Sequence, residues 1–386
     1  MFGLPRVRWQ AATGVAAQVT QGAAAVGIIL VIRQHAGSLA LAGAVVAALS
    51  IAAGVARPLQ GRLIDRQGAA GVMAICGVAH PAALAGVVGL SGLGSSGWLL
   101  VVLGILAGLA LPPVSTSMRV EWAEAVADRD RTAAYSLVYL TQELAILAGP
   151  LVLAAVIATS SASLALLAVA ALSAGGTLGF AASIRAPRRR GSRLELPRLA
   201  VLRSGGMQVV LASAALVGAV IGGLEVAAPM LATERHAPAA AGLLIATLSV
   251  GGIIGAAIYG SRRWQATESR RLLWLLAALT GPLALMVPTD SLFAVAALLL
   301  LAGLALNPAL TTFSLLVDHH VPAPTAAEAF GWLSTAIAAG TGGGAAIAAA
   351  AAQHQHDARA AFIIAVLAAG VATATAAASR RTLSSR

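Results

Sequence analysis

Long apolar runs, each closed by a short polar or Pro/Gly-rich break, recur twelve times along the chain. They occupy residues 11–32, 38–56, 69–90, 98–117, 133–158 and 162–184, and, after a basic interval, 207–232, 240–260, 272–288, 292–317, 327–350 and 359–378. A hydrocarbon core of about 30 Å takes about 20 apolar residues of helix, and a backbone inside it must satisfy its own hydrogen bonds. The runs therefore predict an all-α integral membrane fold of twelve transmembrane helices. The ninth is short, held between Arg271 and Asp290, and the eleventh is diluted by alanine and glycine.

Charge placement gives the topology. Hydrophobic residues make up 59% of the chain and charged residues 10%, against about 25% charged in soluble domains, and the mean hydropathy is +0.88. All 25 basic residues are arginine. With the N-terminus inside, 22 of them fall on the cytoplasmic side, and only Arg33, Arg235 and Arg359 fall outside. Adding or losing one span would swap the side of every later loop, so this asymmetry supports twelve spans with both termini cytoplasmic. The net charge of +11 then reads as topology and attraction to the lipid bilayer, not as a nucleic-acid footprint.

The same composition excludes several functions. Without lysine there is no Gly-x4-Gly-Lys phosphate loop, so transport energy is expected from a gradient and not from ATP, with no cofactor and no metal. Arg6 and Arg8 precede a first run that is too long for a secretory signal and lacks a cleavage site, which predicts a retained helix. Cys76 is the only cysteine; it excludes an internal disulfide and reads as a packing residue. Arginine in place of lysine and the wealth of alanine suggest high-GC bacterial coding, hence a multi-pass protein of the cytoplasmic membrane, expected as a monomer.

The chain looks like a doubled half. Leu106-Ala107-Gly108-Leu109-Ala110-Leu111 followed by Pro112-Pro113 recurs as Leu301-Ala302-Gly303-Leu304-Ala305-Leu306 followed by Asn307-Pro308, an offset of 195 residues. The same offset carries Ala134-Tyr135 onto Ala329-Phe330, and an offset of 199 carries Leu49-Ser50 and Gly61 onto Leu248-Ser249 and Gly260. Matching spans lie six apart, so the two halves are expected as parallel six-helix pseudo-repeats around a central cavity, related by an axis along the membrane normal. The organisation expected is a bundle over 1–184, a cytoplasmic linker over 185–206 and a second bundle over 207–386. The linker opens with Arg185-Ala186-Pro187-Arg188-Arg189-Arg190-Gly191-Ser192-Arg193, polar and punctuated by Pro and Gly.

Between spans two and three stands Gly61-Arg62-Leu63-Ile64-Asp65-Arg66-Gln67-Gly68. Gly61 and Gly68 allow positive backbone torsions or close helix approach, and Asp65, placed where span three begins, can cap its amides. Twelve spans in six plus six, a basic central loop and this Gly-x-Leu-x-Asp-Arg-x-Gly pattern resemble the major facilitator superfamily of secondary transporters. The family pattern usually continues with paired basic residues, where this chain has Ala69-Ala70. The resemblance implies that Asp65 and Arg66, with Gly61 and Gly68, form a cytoplasmic gate, with Glu121 and the region of Thr325 as contacts. The second-half copy keeps Gly260, Arg262 and Arg263 but has Trp264 where the acid would fall.

Acids inside spans come next, because a carboxylate in hydrocarbon is costly, at roughly 2.5–3.5 kcal/mol even on lenient scales. Glu143 and Glu225 fall within the fifth and seventh spans, while Asp318 and Glu328 sit near span ends. Glu143 lies near the bilayer midplane, and Tyr139 and Gln142 can share its polar side. Glu143, and less centrally Glu225, are the expected proton- and substrate-coupling groups. Gln18, Gln21, Asn307, Thr311, Trp332 and Thr335 are candidate cavity-lining residues, each of which can instead join helices. Kinks are expected at Pro112-Pro113, Gly149-Pro150 and Pro308.

Gly149-Pro150 is placed like the antiporter motif of proton-linked drug exporters, but Leu151 to Ala154 replace the glycines that usually follow. Gly104 stands where those exporters commonly carry an arginine. His354-Gln355-His356-Asp357 is too sparse for a metal site, and Asp318-His319-His320 closes span ten. The function expected is proton-coupled efflux of a small organic or amphipathic substrate by alternating access. An uptake permease or uniporter is the alternative, and a polytopic membrane enzyme a remote one.

Overall fold

The computed structural model describes residues 5–184, 200–355 and 357–384, and among these it contains helices and no strand. In chain order they are α1 (Pro5–Ala36), α2 (Leu39–Gln67), α3 (Ala69–Gly92), α4 (Gly97–Leu109), α5 (Val114–Ala125), α6 (Arg131–Thr159) and α7 (Ala162–Ser183). Then follow α8 (Gly205–Glu234), α9 (Ala240–Ser261), α10 (Glu268–Met286), α11 (Leu292–His320), α12 (Ala326–Gln355), α13 (Ala358–Ala378) and the short α14 (Arg380–Ser384). Among the described residues, 11 stretches are long and apolar enough to cross a membrane, α4 and α5 counting together as one. The remaining expected span is α10, whose hydropathy is lowered by Glu268, Arg270 and Arg271 in its first turn.

Two boundaries differ from the sequence expectation. The second helix does not stop at Ala56 but runs through Arg57, Pro58 and Arg62 to Gln67. Charge does not end a helix; Gly68 does, with a φ of +89° that makes the turn into α3. The fourth span is not one helix but two, interrupted over residues 110–113. Most of the expected linker, residues 185–199, lies outside the described residues.

The surface is apolar where a soluble protein would be polar. Phe293 is 85% exposed, while Thr311, Thr312 and Ser314 are fully buried, which suits helices that present hydrocarbon to lipid and keep hydroxyls between themselves.

The chain divides into two compact units, Met1–Ala125 with Thr141–Arg193, and Val126–Leu140 with Leu194–Arg386. In the first, α1 packs on α7, α2 on α4, and α3 on both α4 and α7. Ile28, Val31, Val45, Leu84, Leu100 and Leu166 form one core there. In the second, α8 packs on α12 and α13, α9 on α11, and α10 on α11 and α13.

The sequence repeat is a repeat of contacts. A Cβ on Gly108 of α4 would lie 2.1 Å from the Leu49 carbonyl oxygen of α2, and one on Gly303 of α11 would lie 2.2 Å from the Leu248 carbonyl oxygen of α9. Both pairs belong to the repeated segments. Each glycine is required because backbone meets backbone with no room for a side chain.

Candidate functional site

In the first unit, α1 and α6 cross at closest range through glycines. A Cβ on Gly22 would meet the Ile146 carbonyl oxygen at 2.7 Å, and one on Gly149 would meet that of Val19 at 2.4 Å and Ala23 at 3.3 Å. The α6 helix runs through Pro150 without interruption. One to two turns before this crossing lie Gln18 on α1 and Gln142 and Glu143 on α6. Gln18 is buried and its Nε2 donates to the Gly14 carbonyl at 3.0 Å. The buried oxygens Gln18 Oε1 and Gln142 Oε1 accept no hydrogen bond among the described residues. Buried acceptors without donors cost roughly 1–3 kcal/mol each unless water or a ligand supplies one. Glu143 and Gln21 are half-buried.

In the second unit the corresponding crossing, α8 on α12, uses four glycines. Gly218 and Gly222 face the Ile337 and Thr341 carbonyls, and Gly340 and Gly344 face Ala215 and Ala219. Glu225 lies one turn beyond Gly222 and is exposed on α8. Trp332 and Thr335 on α12 are half-buried, and the Trp332 Nε1 donates no hydrogen bond among the described residues. Asn307 and Thr311 are buried on α11, which runs through Pro308 unbroken.

The first ten residues of α6, 131–140, cluster with the second unit. Arg131 pairs with Asp318 of α11 and, at 2.9 Å, with Asp128. Tyr135 meets Phe330 edge-on with ring centroids 5.7 Å apart, and the Tyr139 hydroxyl lies 3.3 Å from Ser314 Oγ. Tyr139, expected on the polar side of Glu143, thus has its hydroxyl within reach of Ser314 on α11. A Cβ on Gly260, the second-half counterpart of Gly61, would lie 2.7 Å from Ser136 Cβ on the same stretch.

The turn between α2 and α3 also differs from expectation. Asp65 lies in the last turn of α2, two residues short of its end, and α3 is capped by Gly68 with no side-chain bond. The N-cap residue of α3 is therefore Gly68 and not Asp65, because the helix before it outlasts the acid. Gly61 is helical and buried, and Arg66 is exposed. Glu121 pairs with Arg6 at 3.1 Å, while Arg6 Nε donates to the Ser183 carbonyl at 2.8 Å, so the near ends of α1, α5 and α7 are tied together. Thr325 is buried and donates to the Pro322 carbonyl.

The sequence model of the Major Facilitator Superfamily matches residues 11–345. The chain belongs to this superfamily. No curated protein matches it by sequence. Its fold is that of a bacterial homologue of the iron transporter ferroportin, at TM-score 0.79 and 16% identity over 98% of this chain and 100% of that one. It is similar as well to the human organic anion transporter MFSD10, at TM-score 0.77 and 16% identity over 97% of this chain and 100% of that one. The E. coli fucose:proton symporter FucP gives 0.72 and 12% over 99% of each chain. This superfamily member is a multi-pass membrane transporter and not an enzyme.

Two pairings in this transporter had no sequence signal. Asp318 and Arg131 each stood near a span end, 187 residues apart, with nothing to join them. Gln60 stood beyond the expected end of span two, yet it is buried and its Nε2 donates to the Leu109 and Leu111 carbonyls at 2.9 and 3.0 Å. The histidine run before span twelve divides: His354 lies in the last turn of α12, Asp357 caps α13 by accepting from Arg359 N at 2.8 Å, and His356 lies outside the described residues. Groups of three or more His, Cys, Asp or Glu side chains able to hold a metal are absent among the described residues.

Proposed function

We propose that this transporter exports a small organic or amphipathic compound across the cytoplasmic membrane in exchange for protons, with Glu143 as the group that binds and releases the proton. What supports the reading is a half-buried carboxyl within the apolar helix α6, next in the chain to Gln142. Gln142 Oε1 and Gln18 Oε1 are buried oxygens without donors among the described residues. A carboxyl within an apolar helix can carry a proton across when access changes sides. The amide oxygens are suited to accept hydrogen bonds from a substrate or its water. Glu225 is a second coupling candidate on the other unit. The proton gradient would supply the energy, with no bound cofactor, and the arginine asymmetry supports cytoplasmic termini.

Cargo does not follow from the fold. The structures it resembles are named for iron, organic anions and fucose, and one fold serves many substrates. One of them is named as a proton symporter, in keeping with a proton as the coupling ion but not with a direction.

The test is flux in proteoliposomes with an imposed pH gradient, screened over candidate compounds and compared between the parent and Glu143→Gln. The gradient-driven component is expected to fall to background in the variant, while exchange of substrate for substrate at equal pH persists. Gradient-driven flux that survives the substitution undiminished removes Glu143 from the proton path.

A further inference from the structure

The three arginines expected on the extracytoplasmic face do not have the same surroundings. Arg235 and Arg359 both pair with Asp290, Arg359 at 2.9 Å. Arg33, at the far end of α1, is exposed and has no ion pair or side-chain hydrogen bond among the described residues. It lines an open cleft of about 520 Å³ with Gln34 and Leu30 of α1, Ile157 of α6, and Ser160 and Ser161 in the turn before α7. The cleft walls are held together by the contact between His35 Nε2 and Ser163 Oγ at 3.2 Å.

We propose that this cleft binds the phosphate headgroup of an anionic phospholipid of the outer leaflet. Arg33 presents a planar fork of N–H donors that suits two phosphate oxygens at once. Gln34 can add an amide donor. Ser161 Oγ already accepts from Leu164 N at 3.2 Å, so its own hydroxyl hydrogen remains for the ligand. The shared chemistry is that of any phosphate, but the walls favour a lipid. Val26, Leu30 and Arg33 follow one another at helical spacing, Val26 is 47% exposed and Leu30 lies in the cleft. A chain descending from a phosphate at Arg33 would run along apolar side chains toward the membrane interior, a path of no use to free phosphate. An arginine without an ion pair among the described residues, on the side where positive charge is disfavoured, is thereby given a partner.

Native mass spectrometry of the full, delipidated chain in detergent tests this, with phosphatidylglycerol as probe, phosphatidylcholine as the uncharged comparison and inorganic phosphate as competitor. The parent is expected to retain one phosphatidylglycerol in preference to phosphatidylcholine. Removing the one charge in Arg33→Gln should weaken that first binding about fivefold, and Arg8→Gln, at the opposite end of α1, should leave it unchanged. Inorganic phosphate should not displace the lipid. Equal retention by Arg33→Gln overturns the site; equal weakening by Arg8→Gln reduces it to bulk charge and overturns it as well. Displacement by inorganic phosphate at matching concentration would show that a soluble anion, and not a lipid, is the ligand.

Discussion

Spans four and ten carry the same hexapeptide and make the same backbone contact through its glycine, yet one breaks within its last residues and the other does not. Where α4 ends, the carbonyls of Ala107, Leu109 and Leu111 lack helical donors: Leu111 N bonds Gly108 O instead, Pro113 has no N–H, and a new helix opens at Val114. Two side chains from neighbouring helices replace those donors. His80 Nδ1 lies 2.8 Å from the Ala107 carbonyl, and Gln60 serves Leu109 and Leu111. In α11 only Pro308 lacks an N–H, which frees the Leu304 carbonyl alone, and that oxygen lies where a Cβ on Gly255 would be 2.5 Å away. Tyr259, the counterpart of Gln60, bonds Thr312 Oγ1 at 2.8 Å. A single missing N–H is absorbed by a continuous helix, whereas the second proline also forces the first out of helical torsion. The break then depends on polar side chains built into the adjacent helices.

The largest effect should come from the shared contact. Adding a methyl at Gly303 or Gly108 drives a carbon into a carbonyl oxygen, and overpacking of this kind costs about 3 kcal/mol. Gly303→Ala should lower the thermal unfolding midpoint in detergent more than Gly108→Ala. The reason is that α11 is held along its whole length, while the 13-residue α4 ends at a break and can shift. The reverse order would show that the interruption adds no freedom to α4.

The next effect separates the two sets of polar partners. Gln60→Leu removes the donor of two carbonyls, Leu111 buried and Leu109 partly buried, and should cost about 2 kcal/mol, against about 1 kcal/mol for Tyr259→Phe, which removes one hydroxyl pair whose partner Thr312 keeps its bond to the Pro308 carbonyl. Equal losses on chemical unfolding would mean that Gln60 does not stand in for the missing helical donors.

Much of this architecture was legible because a membrane leaves few choices. Apolar runs located the helices, and the hexapeptide with its glycine located a contact, since close backbone approach leaves a glycine visible in sequence. The proline signal was only half read. Kinks were expected alike at Pro112-Pro113, Gly149-Pro150 and Pro308, but only the doubled proline interrupts a helix. Gln60 was hidden because Arg57 looked like the end of a span, although a long side chain can reach from within a helix. Arg131 and Asp318 were hidden for a different reason: pairing between distant residues leaves no periodic trace. The candidate residues near Glu143 are named by polarity within apolar runs, which sequence shows well, but which of their atoms lack partners is a property of packing alone.

The smallest effect concerns the loops leading into the two spans. Ser95 and Ser96 precede α4, and the Ser96 side chain makes no cap bond. At the matching place before α11, Asp290 is followed by Ser291, whose side chain accepts from Ala294 N at 3.4 Å. Asp290 bonds Arg359 and Arg235, and these partners hold its carboxyl below the ordinary carboxylate range, the Arg359 hydrogen bond most of all. A depressed carboxyl stabilises the fold above its unfolded pKa and loses that contribution as pH falls through the depressed folded value. Because the group is fully exposed and screened, the contribution is slight and should shrink with salt. Asp290→Asn should therefore abolish a small acid-side, salt-sensitive decline in the unfolding midpoint and leave the neutral-pH behaviour of α4 untouched. A variant that retains the same decline would assign it to carboxyls elsewhere, and the loop before α11 would then be no more tightly held by charge than its serine-bearing counterpart before α4.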